Sequence, residues 1–93
     1  MSCYSINTLG VIEGDPLIAR AEAKLLSRAE KLVVLVDSSK FEARGSMAVC
    51  KLSRVHTLIT DDAAPPRILA HARSEGVEVI VVRNEKSNKL SAA

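Results

Sequence analysis

Leu32-Val33-Val34-Leu35-Val36 is five apolar residues with no polar interruption, closed by Asp37. A strand with one wet face alternates apolar and polar side chains, whereas an unbroken run of this kind is typical of a parallel strand covered on both faces. Parallel neighbours cannot be joined by a tight turn, so the flanking sequence must supply crossover helices. The chain is 93 residues long, 47% apolar and 26% charged, which is enough for one small folded domain and no more.

The remaining segments fit that demand. Ser5 to Ile12 is apolar and β-branched enough for one strand, and Glu13-Gly14-Asp15-Pro16 breaks it. Asp15 is placed to cap a helix with Pro16 at its first position, and helix formers continue from Leu17 to Lys31. After Asp37 the stretch Ser38 to Arg44 reads as a loop or short turn, and Ser46 to Leu52 as a short strand or extended segment. His56 to Thr60 forms a further strand ended by Asp61-Asp62, and one of these acids is expected to cap the helix opened by Pro65-Pro66. That helix runs to Glu75, Gly76 stops it, and Val77 to Val82 is the last buried strand. The order implies an α/β fold: a small parallel or mixed sheet of about four strands with helices packed on it, in a partial Rossmann-like or isomerase-like arrangement. Residues 1–83 are expected to form this domain and residues 84–93, which lack apolar periodicity, a flexible tail.

Composition removes several functions. The net charge is only +2, the basic residues are scattered, and Tyr4 and Phe41 are the only aromatic residues, which disfavours an isolated nucleic-acid-binding module. The apolar runs are far shorter than the ~20 residues of a membrane-spanning helix, so no membrane partner is expected. Without a secretory signal in the opening residues, the expected compartment is the cytoplasm, with Cys3 and Cys50 reduced. The cysteines have no C-x-x-C spacing and no neighbouring His, and they read as small buried hydrophobes rather than metal ligands. His56 and His71 have no nucleophile or ligand partner at a usable spacing. Neither a metal nor a cofactor is expected.

In open parallel sheets, ligands gather at the carboxyl ends of the strands. Three polar turns share that edge: Glu13-Gly14-Asp15, Asp37-Ser38-Ser39-Lys40 and Thr60-Asp61-Asp62. The second offers backbone N–H groups, two hydroxyls and an ammonium, which suits a phosphate or carboxylate; it suits a solvated polar turn equally well. Glu22 is the residue that a structural account leaves over. At about 100° per residue, Leu17, Ala21, Leu25, Ile18, Ala29 and Leu26 make one arc of the first helix, and Glu22 falls inside it. An acid on the core side must meet a cation or donor, stay protonated, or line a cleft; a structural ion pair is the plainer alternative.

The run Leu32-Val-Val-Leu-Val-Asp-Ser-Ser-Lys-Phe41 resembles the C-terminal effector-sensing domain of the DeoR family of bacterial sugar-metabolism repressors. Leu9-Gly-Val-Ile-Glu-Gly-Asp15, the helix ending Leu-Leu-Ser-Arg-Ala-Glu-Lys31, Cys50 to Asp62 and Gly76 to Val82 are similar to family segments in the same order. Two departures are Glu42, where glycine is frequent, and Glu13-Gly14-Asp15 in place of "G-I-D". The resemblance implies the distal half of a sensor that binds a phosphorylated sugar or related metabolite. Operator DNA would be contacted only through an N-terminal winged helix-turn-helix absent from this sequence, and homo-oligomers are expected. The family is in turn similar to ribose-5-phosphate isomerase, whose matching helix carries a catalytic glutamate and whose matching turn carries an anion-binding lysine. By that resemblance Lys40, Ser38 and Ser39, with Asp37, would hold phosphate, while Glu22, Glu13 and Asp15 bond hydroxyls, without catalysis. A sugar-phosphate isomerase-like enzyme fragment using Glu22 for proton transfer, and a non-binding oligomerisation remnant, are the competing readings.

Overall fold

The computed structural model describes residues 5–41 and 47–83; Cys3, Glu42 and the tail expected over 84–93 lie outside the described residues. The elements follow as β1 (Ser5–Asn7), β2 (Gly10–Glu13), α1 (Pro16–Leu26), β3 (Val33–Leu35), a 3₁₀ turn (Ser38–Phe41), β4 (Met47–Cys50), a second 3₁₀ turn (Leu52–Arg54), β5 (Thr57–Asp61), α2 (Pro66–Ser74) and β6 (Glu78–Val82).

The strands form two three-stranded sheets, which keeps the α/β class and corrects the expectation of a single parallel or mixed, Rossmann-like sheet of about four strands. One sheet is antiparallel with order β1-β2-β4, the other parallel with order β3-β5-β6. The difference begins at Ser5 to Ile12, which is a hairpin rather than one strand. The Leu9 N–H donates to Asn7 Oδ1 at 2.8 Å, and Gly10 takes a φ of +137° that side chains disfavour. Turn chemistry at Asn7 and Gly10 therefore overrides the apolar, β-branched character of the segment. β2 then pairs with β4 through a bulge, with Val11 opposite Cys50 and Ile12 opposite Ala48, so that Val49 is the extra residue.

α1 starts where expected: Asp15 Oδ1 accepts from the Leu17 N–H at 2.8 Å and Pro16 fills the first position. It stops at Leu26, short of the expected Lys31. Arg54 sets the end, its Nη2 donating to the carbonyls of Leu26 at 2.7 Å and Ala29 at 2.6 Å. A guanidinium here satisfies helix-end carbonyls and faces the negative end of the helix dipole. Replacing Arg54 with Ala is expected to cost about 1–2 kcal/mol, lowering the melting temperature by roughly 5–10 °C. Lys at this position should recover only part of that loss in a thermal melt, because one ammonium does not reproduce the planar fork. Retention of the full melting temperature by the Ala variant would exclude Arg54 as the cap.

α2 begins at Pro66 with Pro65 before it and no side-chain cap, so neither Asp61 nor Asp62 has the capping role expected of one of them. Gly76 ends the helix region as expected, with φ +88° and its N–H on the Arg73 carbonyl. At the far end of the parallel sheet, His56 Nδ1 lies 2.7 Å from Thr57 Oγ1, which donates to Glu78 Oε1 at 3.0 Å, joining the first residues of β5 and β6.

Ile6, Val11, Val34 and Leu58 are wholly buried at the centre of the core, with Leu52 and Ala72 beside them. α2 contributes Ile68, Leu69 and Ala72 to that core, and α1 rests on β2 and β4 through Ala19 and Leu26. The second face of the parallel sheet is open, again contrary to expectation. Val33, Leu35, Ile80 and Val82 share that face by register and are all exposed. An unbroken apolar run identifies a strand able to be covered on both sides; it does not supply the second cover.

Candidate functional site

The carboxyl ends of β3, β5 and β6 frame a pocket of about 440 Å³ lined by Leu35, Asp37, Ile59, Thr60, Asp61 and Val82. Its position follows from the topology: three parallel strands deliver their C-terminal residues, and the loops after them, to one edge. The Val36 N–H donates to the Ile59 carbonyl at 3.1 Å, carrying the pairing of β3 with β5 up to the rim.

Two aspartates organise this rim. Asp61 Oδ2 accepts from the Ser38 N–H at 2.8 Å, and its Oδ1 accepts from the Ala63 N–H at 2.9 Å. Asp37 Oδ1 accepts from the Ser39 N–H at 2.8 Å and from the Ser39 hydroxyl, and the Asp37 carbonyl accepts from the Lys40 N–H at 3.1 Å. Both acids are held below the ordinary aspartate value, Asp37 chiefly by the Ser39 hydroxyl and Asp61 chiefly by the Ser38 N–H. The Lys40 charge acts on Asp37 in the same direction.

This geometry changes what the turn can do. The backbone N–H groups of Ser38, Ser39 and Lys40 already have protein acceptors, so an anion meets the Lys40 ammonium and the serine hydroxyls rather than an open nest of amides. Asp61 is the residue whose part here the sequence did not disclose. Its contact with Ser38 spans 23 positions, and only its place beside two other strand ends hinted at it. The Thr60 hydroxyl is buried at the same edge without a hydrogen-bond partner among the described residues.

Glu22 and Glu13 form a second acidic group, on the α1 side of the antiparallel sheet. Glu22 is half-buried, and its Oε1 is shielded from solvent with no hydrogen-bond partner among the described residues. Burial, and secondarily the neighbouring Glu13 charge, raise its pKa above the ordinary glutamate value. Glu13 Oε1 accepts from the Gly14 N–H at 3.1 Å, and Asp15 is engaged as the helix cap. The structure thus joins Ser38 to Asp61 and Ser39 to Asp37, with Lys40 acting on Asp37, and sets Glu22 beside Glu13 away from the residues that line the pocket.

The raised value fixes the sign of a pH effect. A carboxyl that holds its proton more tightly when folded favours the native state below its unfolded pKa, and that contribution is lost as pH rises through the higher folded value. Glu22→Gln, which stays neutral, should therefore raise the melting temperature at pH 7. The difference should vanish as the pH is lowered to the ordinary glutamate value of 4.5 and below. Melting curves of both proteins from pH 4 to 8 check this, and an unchanged difference across the range would contradict it.

A sequence model of the family described as the DeoR C terminal sensor domain matches residues 1–62. Curated relatives include the HTH-type transcriptional regulators UlaR of Escherichia coli (strain K12 / DH10B), of Escherichia coli O157:H7 (strain EC4115 / EHEC) and of Shigella boydii serotype 18 (strain CDC 3083-94 / BS512). Each is 42% identical over 73 residues, which is 78% of this chain and 29% of the relative. The match thus spans less than a third of the length of these relatives.

Proposed function

The chain belongs to the DeoR C-terminal sensor domains of transcriptional regulators, and on that premise we propose that it binds a phosphorylated sugar at the carboxyl edge of its parallel sheet. Occupancy there would control a cytoplasmic repressor of sugar metabolism whose operator contacts come from a separate winged helix-turn-helix. The observation that supports this most is that the pocket is lined by Asp37 and Asp61, the two carboxylates that hold the Ser38–Phe41 turn at its rim.

The chemistry divides between the two ends of such a ligand. The Lys40 ammonium, with the Ser38 and Ser39 hydroxyls, takes the phosphate. Asp37 and Asp61 remain ionised at neutral pH and keep lone pairs for sugar hydroxyls beyond those accepting the turn N–H groups. Glu22, Glu13 and Asp15, expected from the resemblance to bond further hydroxyls, do not line this pocket and are assigned no contact with the ligand there. Leu35, Ile59 and Val82 give the pocket an apolar wall for the carbon skeleton. Binding requires no proton transfer, so the domain works as a sensor rather than an enzyme.

A thermal-shift panel tests the reading. A ligand present at 100 times its dissociation constant stabilises the folded state by about 2.7 kcal/mol, which should appear with at least one sugar phosphate and disappear with the same sugar lacking phosphate. A flat response across phosphorylated pentoses, hexoses and sugar acids would remove the proposal.

A further inference from the structure

A second hollow adjoins the turn that carries Lys40. A cavity of about 270 Å³ is lined by Asn7, Thr8, Leu9, Phe41, Arg67 and Ile68, and it shares no residue with the pocket at the strand ends. Three elements meet there: the tip of the β1–β2 hairpin, the end of the Ser38–Phe41 turn and the first turn of α2. Phe41 and Ile68 are buried and give the cavity an apolar floor, while Leu9 at its mouth is 73% exposed. Hairpin tips ordinarily carry polar residues, so Leu9 adds apolar surface that the fold itself does not bury.

Arg67 is the second anomaly. It is the second residue of α2, in a first turn that holds no acid, where a cation opposes the helix dipole. Among the described residues its guanidinium has neither an ion pair nor a hydrogen bond. Asn7 is fixed by contrast: its Oδ1 accepts from the Leu9 N–H at 2.8 Å, which orients the carboxamide and leaves its Nδ2 donors available.

We propose that this cavity binds a small monocarboxylic acid with an apolar body, its carboxylate on the Arg67 guanidinium and its hydrocarbon against Phe41, Ile68 and Leu9. A planar guanidinium presents two parallel N–H donors that match a carboxylate, and Asn7 and Thr8 can donate to the remaining lone pairs. One cation balances one charge, which favours a carboxylate over a phosphomonoester carrying about −1.5 to −2 at neutral pH. The apolar floor disfavours a sugar, whose hydroxyls would lose water against Phe41 and Ile68 without a replacement. The volume is just below the ~300–1,000 Å³ of drug-sized sites, so the acid has on the order of ten non-hydrogen atoms. Asp37 lines the one pocket and Phe41 the other, so the Lys40 turn joins two sites of different chemistry. The assignment does not depend on what the strand-end pocket binds.

Benzoate is the probe, followed through the backbone amide resonances of the full chain. Saturable shifts are expected at residues 7–9, 41, 67 and 68, with a dissociation constant on the order of 1 mM. Benzamide keeps the ring without the charge and acetate keeps the charge without the ring; each should bind at least about tenfold more weakly. Arg67→Gln, an exposed substitution whose fold circular dichroism verifies, should weaken benzoate binding by about tenfold or more, whereas Lys40→Ala should leave it unchanged. Absence of saturable shifts at these residues up to about 20 mM benzoate would overturn the proposal. Equal affinity for benzoate and benzamide, or of wild type and Arg67→Gln for benzoate, would do the same. So would shifts centred on residues 36–40 and 59–63 and lost in Lys40→Ala, since they would place the acid at the strand ends.

Discussion

Gly10→Ala is expected to remove a large part of the chain's folding stability. Gly10 has φ +137°, and a Cβ built there would fall on the Cys50 carbonyl oxygen, with Cys50 C and Lys51 Cα each 3.0 Å away. All three atoms are backbone, so no side-chain rotation relieves the clash. They belong to the junction of β2 and β4 beside the bulge, and moving them displaces Val11, which is wholly buried. Strain of this kind with loss of core packing costs about 4 kcal/mol or more. A domain this small has only about 5–10 kcal/mol to lose. Gly76→Ala supplies the comparison: φ is also positive, at +88°, but nothing lies within 4 Å of the added carbon. It should cost about 1 kcal/mol. Urea unfolding midpoints of the two variants check the contrast, and equal losses would show that close approach at Gly10 is not the cause.

Lys40→Ala should have the second large effect, weakening sugar-phosphate binding by roughly 10- to 150-fold, the equivalent of about 1.5–3 kcal/mol for a charge-assisted hydrogen bond. The rim explains why one lysine matters. Asp37 and Asp61 are both held ionised there, so without Lys40 an incoming phosphate meets two negative charges and hydroxyls alone. Lys40→Arg keeps the charge and should retain most of the affinity. The melting temperature of unliganded Lys40→Ala should change little, because the hydrogen bonds that hold the turn come from its backbone and from Asp37 and Asp61. Isothermal titration separates these effects; equal affinity for wild type and Ala variant would remove Lys40 from the site.

Features governed by adjacent backbone were legible in the sequence. Asp15 with Pro16, and Gly76, act over a few residues, and they mark helix boundaries in the structure as their chemistry dictates. The inward lean of Glu22 was also legible, because helical angle alone sets it. What its carboxyl meets was not: Glu13 arrives from β2, whose strand bounds depend on the turn at Asn7 and Gly10. The same limit applies to Asp61, whose proximity to Ala64-Pro65-Pro66 suggested a cap although its carboxylate binds Ser38, across the gap between β3 and β5. Residue type showed that Leu32 to Val36 was a strand. Whether each side of that strand would be covered depends on how many layers the chain builds, and no local pattern carries that number.

Ligand sensing at the carboxyl edge is tested most directly by following backbone amide resonances during titration with sugar phosphates. Saturable shifts concentrated at residues 36–40 and 59–63, lost in Lys40→Ala, are the expected result, because the Ser38, Ser39 and Ala63 N–H groups bond to the carboxylates that would receive the ligand. Saturable shifts confined to the outer face of α1 or to the β1–β2 hairpin, with the Ser38–Phe41 turn unmoved, would contradict it.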